Sequence, residues 1–537
     1  MKNFLSIRFL NQDDVIRLVI ESLRMIPYYC KNEIVPLPLP HNMCRPPKLT
    51  SVFTELSTRT KSSFEEAAEL VSFRVGAAIT PSDSSLGKNE SLTNTLRMII
   101  QQNADVVVLR SGIEGAGLHL ANCLQQTANS ANWVNSNASV IIGGAGTCDH
   151  PSQVLLDIVT IIARSLGITR NDQYHVIETI FADIDYEKIL TQAIVRVLNN
   201  LTIAFVGDLV HSRVVHDWLH LGRLFFIRFT LIAPDVLQIP ISCLKGIIYK
   251  RSNDLDEALN SEITYTIRLQ KERLERIFSV NEVIKIISSL QVTKNYLSKY
   301  KGLIMDAQPI DSGTPMISPD CFNYPQVIMF QQSAMGIPVR MAILASCFIG
   351  EPEKIVLLKP CKVRPKVLKQ ESIQKHLIEL TDKYADKELS VNPIRRGTVL
   401  DRLDSGTIKI IDLLLEKAGA YKKGQGPIIQ ARNCPSPSMG KKEILFLPDR
   451  FIPYWLLAVI KLIAPSMRVI VLKNNTYKKL EFPVARSVPD IFVCPNPNCI
   501  TNHDPEAKTA FDVIGDHNIK CVYCENVSTK GEIIAHL

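Results

Sequence analysis

Four cysteines, Cys494, Cys499, Cys521 and Cys524, fall in the spacing C-x4-C followed by C-x2-C. Two such knuckles can close four thiolates around one Zn²⁺ ion, and four protein ligands leave no open position for water. The spacing therefore predicts a structural zinc site. A nucleic-acid zinc ribbon has the same spacing, so the cysteines alone assign no function. A second set of residues suits anions. Glu55-Leu-Ser57-Thr58-Arg59-Thr60 lies between a strand-like run and a helical one. Backbone N–H groups at a helix start, three hydroxyls and an Arg fork make a phosphate cradle. Ser62 or Ser63 with Glu65 or Glu66 reads as the capping box of that helix. Arg110 ends an apolar run, and His150-Pro-Ser-Gln153 opens a helix after a glycine-rich turn. Arg213 follows Gly207-Asp-Leu209, and Arg268 and Gln270 end a further run. Cationic and amide side chains thus gather at the C-terminal ends of five strand-like runs, where open α/β sheets bind ligands. They predict a small, strongly anionic substrate pair.

The elements that must hold these residues read as α/β. Strand-like runs are Leu49–Thr54, Ala104–Leu109, Ser139–Ile142, Leu201–Val206, Phe225–Ile232, Ile263–Ile267 and Lys301–Met305. Several are continuously apolar, as in a parallel sheet covered on both faces. Helical patterns such as Ser62–Arg74 and Pro151–Leu166 alternate with them. Two sheets, split near residue 150, fit the length. Residues 350–387 carry prolines among lysines and then a charged helical stretch, and read as a linker. Beyond it, strand patterns near Pro393–Leu400 and Met467–Leu472 flank helical runs Thr407–Ala418 and Phe451–Ile463, a smaller α+β unit. Ala163–Asn200 is a helical stretch longer than the topology requires.

The composition bounds the reading. The 537 residues allow about three domains. Hydrophobic residues at 46 % and charged residues at 21 % exclude a disordered chain. The net charge of +8 favours anionic ligands, but no Lys/Arg tract is interleaved with aromatics, which argues against nucleic acid. No apolar run reaches the ~18 residues of a membrane span; Tyr454–Ala464 is interrupted by Lys461, and the N-terminus meets Arg8 and Asp13 early. Nine of the thirteen cysteines are scattered singly, an unsuitable disulfide framework. A cytoplasmic chain without membrane or nucleic-acid partners is expected.

In this order the motifs resemble the aspartate carbamoyltransferase family. They are S-T-R-T at 57–60, S-S-x-x-K at 84–88, Arg110 with Glu114-Gly-Ala116, H-P-S-Q at 150–153, G-D-L at 207–209 with Arg213, R-L-Q-K-E-R at 268–273 and F-Q-Q at 330–332. Arg395-Arg-Gly-Thr-Val-Leu-Asp401, Met439-Gly440 with Lys442, and Val493-Cys-Pro-Asn-x-Asn-Cys-Ile500 resemble the separate regulatory chain of the bacterial enzyme. The resemblance implies two parallel-sheet α/β catalytic domains, then a small α+β domain and a C-terminal zinc-binding β domain. The expected boundaries are 1–150 for carbamoyl phosphate, completed by a helix at 330–350, and 151–329 for aspartate. A linker at 351–387, a nucleotide-binding-type domain at 388–487 and a zinc domain at 488–537 follow.

The resemblance also implies roles. Carbamoyl phosphate would lie on Ser57, Thr58, Arg59, Thr60 and Arg110. Thr60, Arg110 and His150 would bond the carbamoyl oxygen, and Gln153 the carbamoyl NH2. Arg213, Arg268 and Gln270 would hold the L-aspartate carboxylates. Ser84 and Lys88 would reach a neighbouring subunit's site, which makes the active form a homotrimer or larger. The product would be N-carbamoyl-L-aspartate for pyrimidine synthesis.

The sequence departs from the family in places. Where the family has His-Pro-x-Pro-Arg, it reads Asp306-Ala-Gln-Pro309-Ile310, with Pro309 expected as a cis-proline, and Asp149 replaces a neutral residue. These changes motivate two alternatives, a carbamoyltransferase for another amino acid and a weakly active or inactive paralogue with a scaffold role. In the effector region Phe446, Ile470 and Arg402 replace a Lys, an Asn and a His, while Val391, Ile394, Val399, Asp401 and Lys442 remain. A nucleotide effector and a purely structural spacer are both open there.

Overall fold

The computed structural model describes residues 2–35, 37, 43, 45–128, 138–269, 278–311, 313–350, 364–372, 395–421, 428–473, 476–515 and 518–536. The chain divides into two compact units, Met1–Ile355 and Val356–Leu537.

The first unit holds two parallel sheets. One has the order Arg74–Val75, Lys48–Phe53, Val106–Ser111, Ser139–Ala145. Its three longer strands are buried almost throughout, as their continuous apolar runs require. Helices Gln12–Lys31, Thr58–Leu70, Pro151–Ser165 and Gly336–Ile349 pack with one another beside it. The other sheet has the order Ile248–Ser252, Arg228–Ile232, Thr202–Gly207, Ile263–Ile267, Leu303–Asp306. Phe205 centres its core, with ring centroids 6.3 Å from Trp218, 5.9 Å from Phe229 and 5.4 Å from Tyr265.

Several sequence readings are corrected here. The first-sheet helix starts at Thr58, not Ser62. Ser62 and Ser63 are inside it, and the Ser63 hydroxyl donates to the Arg59 carbonyl at 2.6 Å instead of capping. Strand Ile248–Ser252 escapes the sequence reading because it is an exposed edge with the polar sequence I-Y-K-R-S. Phe225–Ile227 precede the strand that starts at Arg228. Met329–Ile349 is, against expectation, long and apolar enough to cross a membrane, yet most of it is buried in the fold. It packs against the helices Gln12–Lys31, Thr58–Leu70 and Pro151–Ser165, so its apolarity serves the core. The long stretch after residue 163 forms helices His175–Phe181 and Tyr186–Asn200, which cover Gln12–Lys31. Arg24 donates to the Tyr186 hydroxyl at 2.8 Å and Lys31 pairs with Glu178 at 2.5 Å.

The second unit contains an antiparallel sheet in the order Lys366–Ser372, Thr476–Glu481, Arg468–Lys473, Gly397–Leu403, Gly440–Pro448, Ile429–Ser436. Helices Thr407–Lys417 and Tyr454–Ile463 accompany it. Strand Lys366–Ser372 corrects the reading of 350–387 as linker throughout: it pairs with Thr476–Glu481 along the sheet edge. Its lysines disguise it, because an edge strand tolerates charge. The charged stretch at 373–387 lies outside the described residues. A four-stranded antiparallel sheet, Ser487–Pro489, Ala510–Ile514, Asn518–Cys521 and Val527–Ser528, carries the cysteines.

Candidate functional site

The first unit brings Arg110, Arg213, Thr60 and Glu55 to one place. Strand Ser139–Ala145 slips register between Leu109 and Arg110 of its neighbour, so Gly143 is an extra residue in the ladder. Its freed carbonyl accepts from Arg110 Nη1 at 2.9 Å, and the same nitrogen donates to Thr60 Oγ1 at 3.3 Å. Gly144 follows at φ +138°, and a Cβ there would stand 2.9 Å from Arg110 Nη1 and 3.0 Å from Arg213 Nη1. The absent side chain is what lets an arginine beside each sheet reach the same spot. Glu55 Oε2 lies 3.4 Å from Arg213 Nη2 and 3.9 Å from Arg110 Nε. Burial and the Arg213 charge push Arg110 down to about 10, with Glu55 opposing them. It is still a cation at neutral pH.

Ser57 and Thr58 form the entry to helix Thr58–Leu70. Ser57 makes no side-chain capping bond, so it does not compete for the N–H groups of the first turn. Arg59 is exposed and Thr60 buried. His150 is buried at the start of helix Pro151–Ser165, and its backbone N–H donates to Asp217 Oδ2 at 2.6 Å. Burial, then Arg110, Arg213 and Arg340, hold its imidazole well below the usual histidine value. It is a neutral donor at neutral pH. Gln153, one turn on, donates from Nε2 to Asp157 Oδ1 at 3.0 Å.

The other expected residues fall on further segments. Arg268 is exposed just after strand Ile263–Ile267, close enough to Asp311 to act on its carboxyl. Gln270 lies outside the described residues, as do Lys271, Glu272 and Arg273. Ser84 and Lys88 lie on a surface loop of two 3-10 turns, Pro81–Asp83 and Ser85–Lys88, with Lys88 exposed. The Ser84 hydroxyl donates to the Thr80 carbonyl at 2.5 Å.

Asp306 does not aim an open carboxylate at the site. It is buried, accepting from Thr266 Oγ1 at 2.5 Å and from the Gln308 N–H at 2.6 Å. Burial pushes it up to about 6. The Gln308–Pro309 peptide is cis, as expected. Sequence reasoning gave no role to Glu55, Gly144, Asp157, Asp217 or Arg340. Arg340 is buried on an apolar helix with its guanidinium 5.0 Å from the Phe64 ring centroid. A lone charge in an apolar helix was the signal that could have found it.

In the second unit Lys442 Nζ pairs with Asp401 Oδ1 at 2.6 Å. Phe446 and Ile470 face Val399 from the two flanking strands and pack with Val399, Leu472 and Tyr477 as an apolar cluster. Burial lowers Lys479 nearby, opposed by Asp401. Val391 and Ile394 lie outside the described residues.

The four cysteines converge. Their sulfurs lie within 4.8 Å of one another and all four residues are buried. Sγ separations of 3.5 Å (Cys494–Cys524) and 3.8 Å (Cys499–Cys521) approach the ~3.8 Å edge of a tetrahedron with ~2.3 Å metal–sulfur bonds. Asn502 Nδ2 donates to the Cys494 carbonyl at 2.9 Å and to the Asn496 carbonyl at 2.8 Å, bracing the first knuckle. The residues fit a metal with a filled shell.

Comparison with known proteins gives a consistent picture. Residues 2–163 match the family "Aspartate/ornithine carbamoyltransferase, carbamoyl-P binding domain", and 199–347 match the corresponding "Asp/Orn binding domain". Residues 389–481 match "Aspartate carbamoyltransferase regulatory chain, allosteric domain", and 486–534 match the same chain's "metal binding domain". The aspartate carbamoyltransferase catalytic subunit of Methanocaldococcus jannaschii is 30 % identical over 357 residues, 64 % of this chain and 97 % of that protein. The subunit from Picrophilus torridus is 31 % identical over 310 residues, 56 % of this chain and 85 % of that one. Among solved structures, the M. jannaschii catalytic subunit aligns with TM-score 0.50 at 28 % identity, covering 65 % of this chain and 98 % of that one. Aspartate transcarbamoylase from Trypanosoma cruzi in complex with carbamoyl phosphate aligns with TM-score 0.50 at 26 % identity, covering 64 % and 95 %.

Proposed function

Because this chain belongs to the aspartate carbamoyltransferase family, with catalytic and regulatory parts in one polypeptide, we propose that it transfers the carbamoyl group of carbamoyl phosphate to the amino group of L-aspartate. The products are N-carbamoyl-L-aspartate and phosphate, in pyrimidine synthesis. The observation that carries this is the meeting of Arg110, Arg213 and Thr60 over Gly144, beside His150. The phosphate lies on the Thr58–Thr60 helix start with Arg59, held by N–H groups and a bidentate fork. Thr60, Arg110 and the neutral His150 donate to the carbamoyl oxygen as the amine attacks and charge builds there. The carbonyl of Gln153 accepts from the carbamoyl NH2. Arg213, Arg268 and Gln270 take the aspartate carboxylates, with Glu55 holding Arg213 in place until they arrive.

A neighbouring subunit supplies Ser84 and Lys88, which explains why this chain's own loop is on its surface. The active form is therefore a homotrimer or larger. The cysteine cluster holds zinc, for which four thiolates are the usual set, and zinc there supplies structure. A four-cysteine metal cluster suits a reducing, cytoplasmic compartment, where thiolates stay available to the metal. An anionic nucleotide is the effector chemistry that Lys442 and Lys479 would suit.

Asp306 is engaged by Thr266 and Gln308, which favours aspartate over a different amino acid as substrate. The test is carbamoylation of a panel of amino acids by the purified full chain, followed by release of phosphate and identification of the product. Aspartate is expected to react at least tenfold faster than ornithine, glutamate or asparagine. Equal or faster reaction with another amino acid overturns the assignment.

A further inference from the structure

Asp157 is buried one turn beyond Gln153 and joins four donors from four elements. Its Oδ1 accepts from Gln153 Nε2 at 3.0 Å and from Gln332 Nε2 at 2.7 Å, and its Oδ2 from Trp218 Nε1 at 3.1 Å. Tyr265 is the fourth partner. A carboxylate only accepts, so both glutamine amides must present nitrogen to it and oxygen elsewhere. For Gln153 this leaves Oε1 free for the substrate side. For Gln332 the second Nε2 proton goes to the Tyr265 hydroxyl at 3.0 Å, and Oε1 accepts the Asp306 N–H at 3.0 Å. Asp306 in turn accepts the Gln308 N–H. A continuous hydrogen-bonded path therefore runs from Gln153 through Asp157 and Gln332 to the turn at Asp306–Pro309. Helices Pro151–Ser165 and Met329–Ala334, which carry its central members, lie where the chain passes between the two sheets.

We propose that Asp157 is a positioning residue for carbamoyl transfer, one buried carboxyl that sets the Gln153 amide and the Asp306–Pro309 turn together. This rests on the carbamoyltransferase reading above. Trp218 extends the same control to helix Arg213–Gly222, whose first residue is Arg213. Among the described residues, the groups facing the carboxyl are Gln153 on its own helix, Trp218, Tyr265 and Gln332. Tyr265 is the titratable one, pushed well up by burial and by Asp157 and Asp306, and so stays neutral; Asp306 follows beyond Gln332. Burial raises Asp157 to about 7 although all four donors pull it down. Below that pH a proton enters a site built from donors, and one of them must turn away. Turnover is therefore expected to fall as pH drops through about 7.

The test is Asp157→Asn in the full chain, with kcat and KM for both substrates followed from about pH 5 to 9. The variant is expected to lose tenfold to about a hundredfold in kcat at pH 8, the cost of misplaced reacting groups. It is also expected to lose the limb near pH 7, with KM for carbamoyl phosphate changed less than about threefold. Wild-type kcat with the limb retained overturns the proposal. Should Asp157→Asn not fold, Gln332→Met cuts the path while keeping the carboxyl. A lowered kcat and a shifted limb support the proposal, and an unchanged profile overturns it. A wild-type chain inactive with aspartate at every pH fails the carbamoyltransferase reading instead.

Discussion

His150 is a histidine that does not titrate where histidines usually do. Burial comes first among the causes, followed by three arginines, and together they hold the imidazole neutral through the physiological range. The linkage has a definite sign. The unfolded chain takes up a proton here below about pH 6.5 that the folded chain refuses, so this group's contribution to stability is present above that pH and is lost as pH falls. In NMR spectra assigned with His150→Ala, the His150 ring signals are expected to stay fixed from pH 8 to 6. A step near 6.5 would contradict the buried, arginine-surrounded site. His150→Ala is expected to lower kcat by ~10²–10³ with little change in either KM, because the donor acts on charge that develops in the transition state. The sequence exposed His150 through H-P-S-Q after a glycine turn. It did not expose Glu55 or Asp157, whose roles depend on what lies across the fold: Glu55 stands between two arginines from distant segments, and Asp157 looks like one polar residue on an apolar helix.

At the level of elements, the register slip in strand Ser139–Ala145 does the positioning. It frees the Gly143 carbonyl for Arg110 and places Gly144 beneath two guanidinium groups. Gly144→Ala is expected to displace Arg110 and Arg213 and to lower kcat by about a hundredfold. The positive φ adds about 1–3 kcal/mol of strain, read from urea unfolding. Retained turnover in a stably folded variant would show that the close approach is dispensable. The continuously apolar parallel strands were legible because burial on both faces leaves no alternation to confuse. The edge strands Ile248–Ser252 and Lys366–Ser372 were not, because their residues answer to solvent. The capping box assigned to Ser62 and Ser63 failed for a related reason. Those serines lie within the helix, and the true start at Thr58 leaves its first N–H groups without a side-chain cap from Ser57.

For the whole molecule, four cysteines able to fill a metal's coordination shell predict a role in assembly rather than in chemistry. Replacing both Cys521 and Cys524 with Ser is expected to unfold the sheet Ser487–Ser528 and to dissolve any assembly larger than a trimer, leaving a trimer that still turns over. Mass measured by light scattering, metal content and activity on one preparation check this. A variant that keeps the wild-type mass, or a folded trimer with no turnover beside an active wild type, contradicts the division of labour. The cysteine knuckles were fully legible, since little besides a tetrahedral metal site requires C-x4-C together with C-x2-C. The ordered motifs that mark the family were legible too, whereas the packing of Phe446 and Ile470 against Val399 shows only in three dimensions.

The two compact units share one polypeptide, and this fixes their ratio at the ribosome. Where such parts are made as separate chains, a cell can alter control by making more or less of one of them, and a damaged partner can be exchanged for a sound one. Here neither is open: every catalytic part is born with one copy of the regulatory-chain part in equal dose. A lesion in the cysteine cluster therefore stays with the molecule that carries it for life, and in a cell holding two versions of the gene, the share of faulty chains follows the expression of the faulty copy.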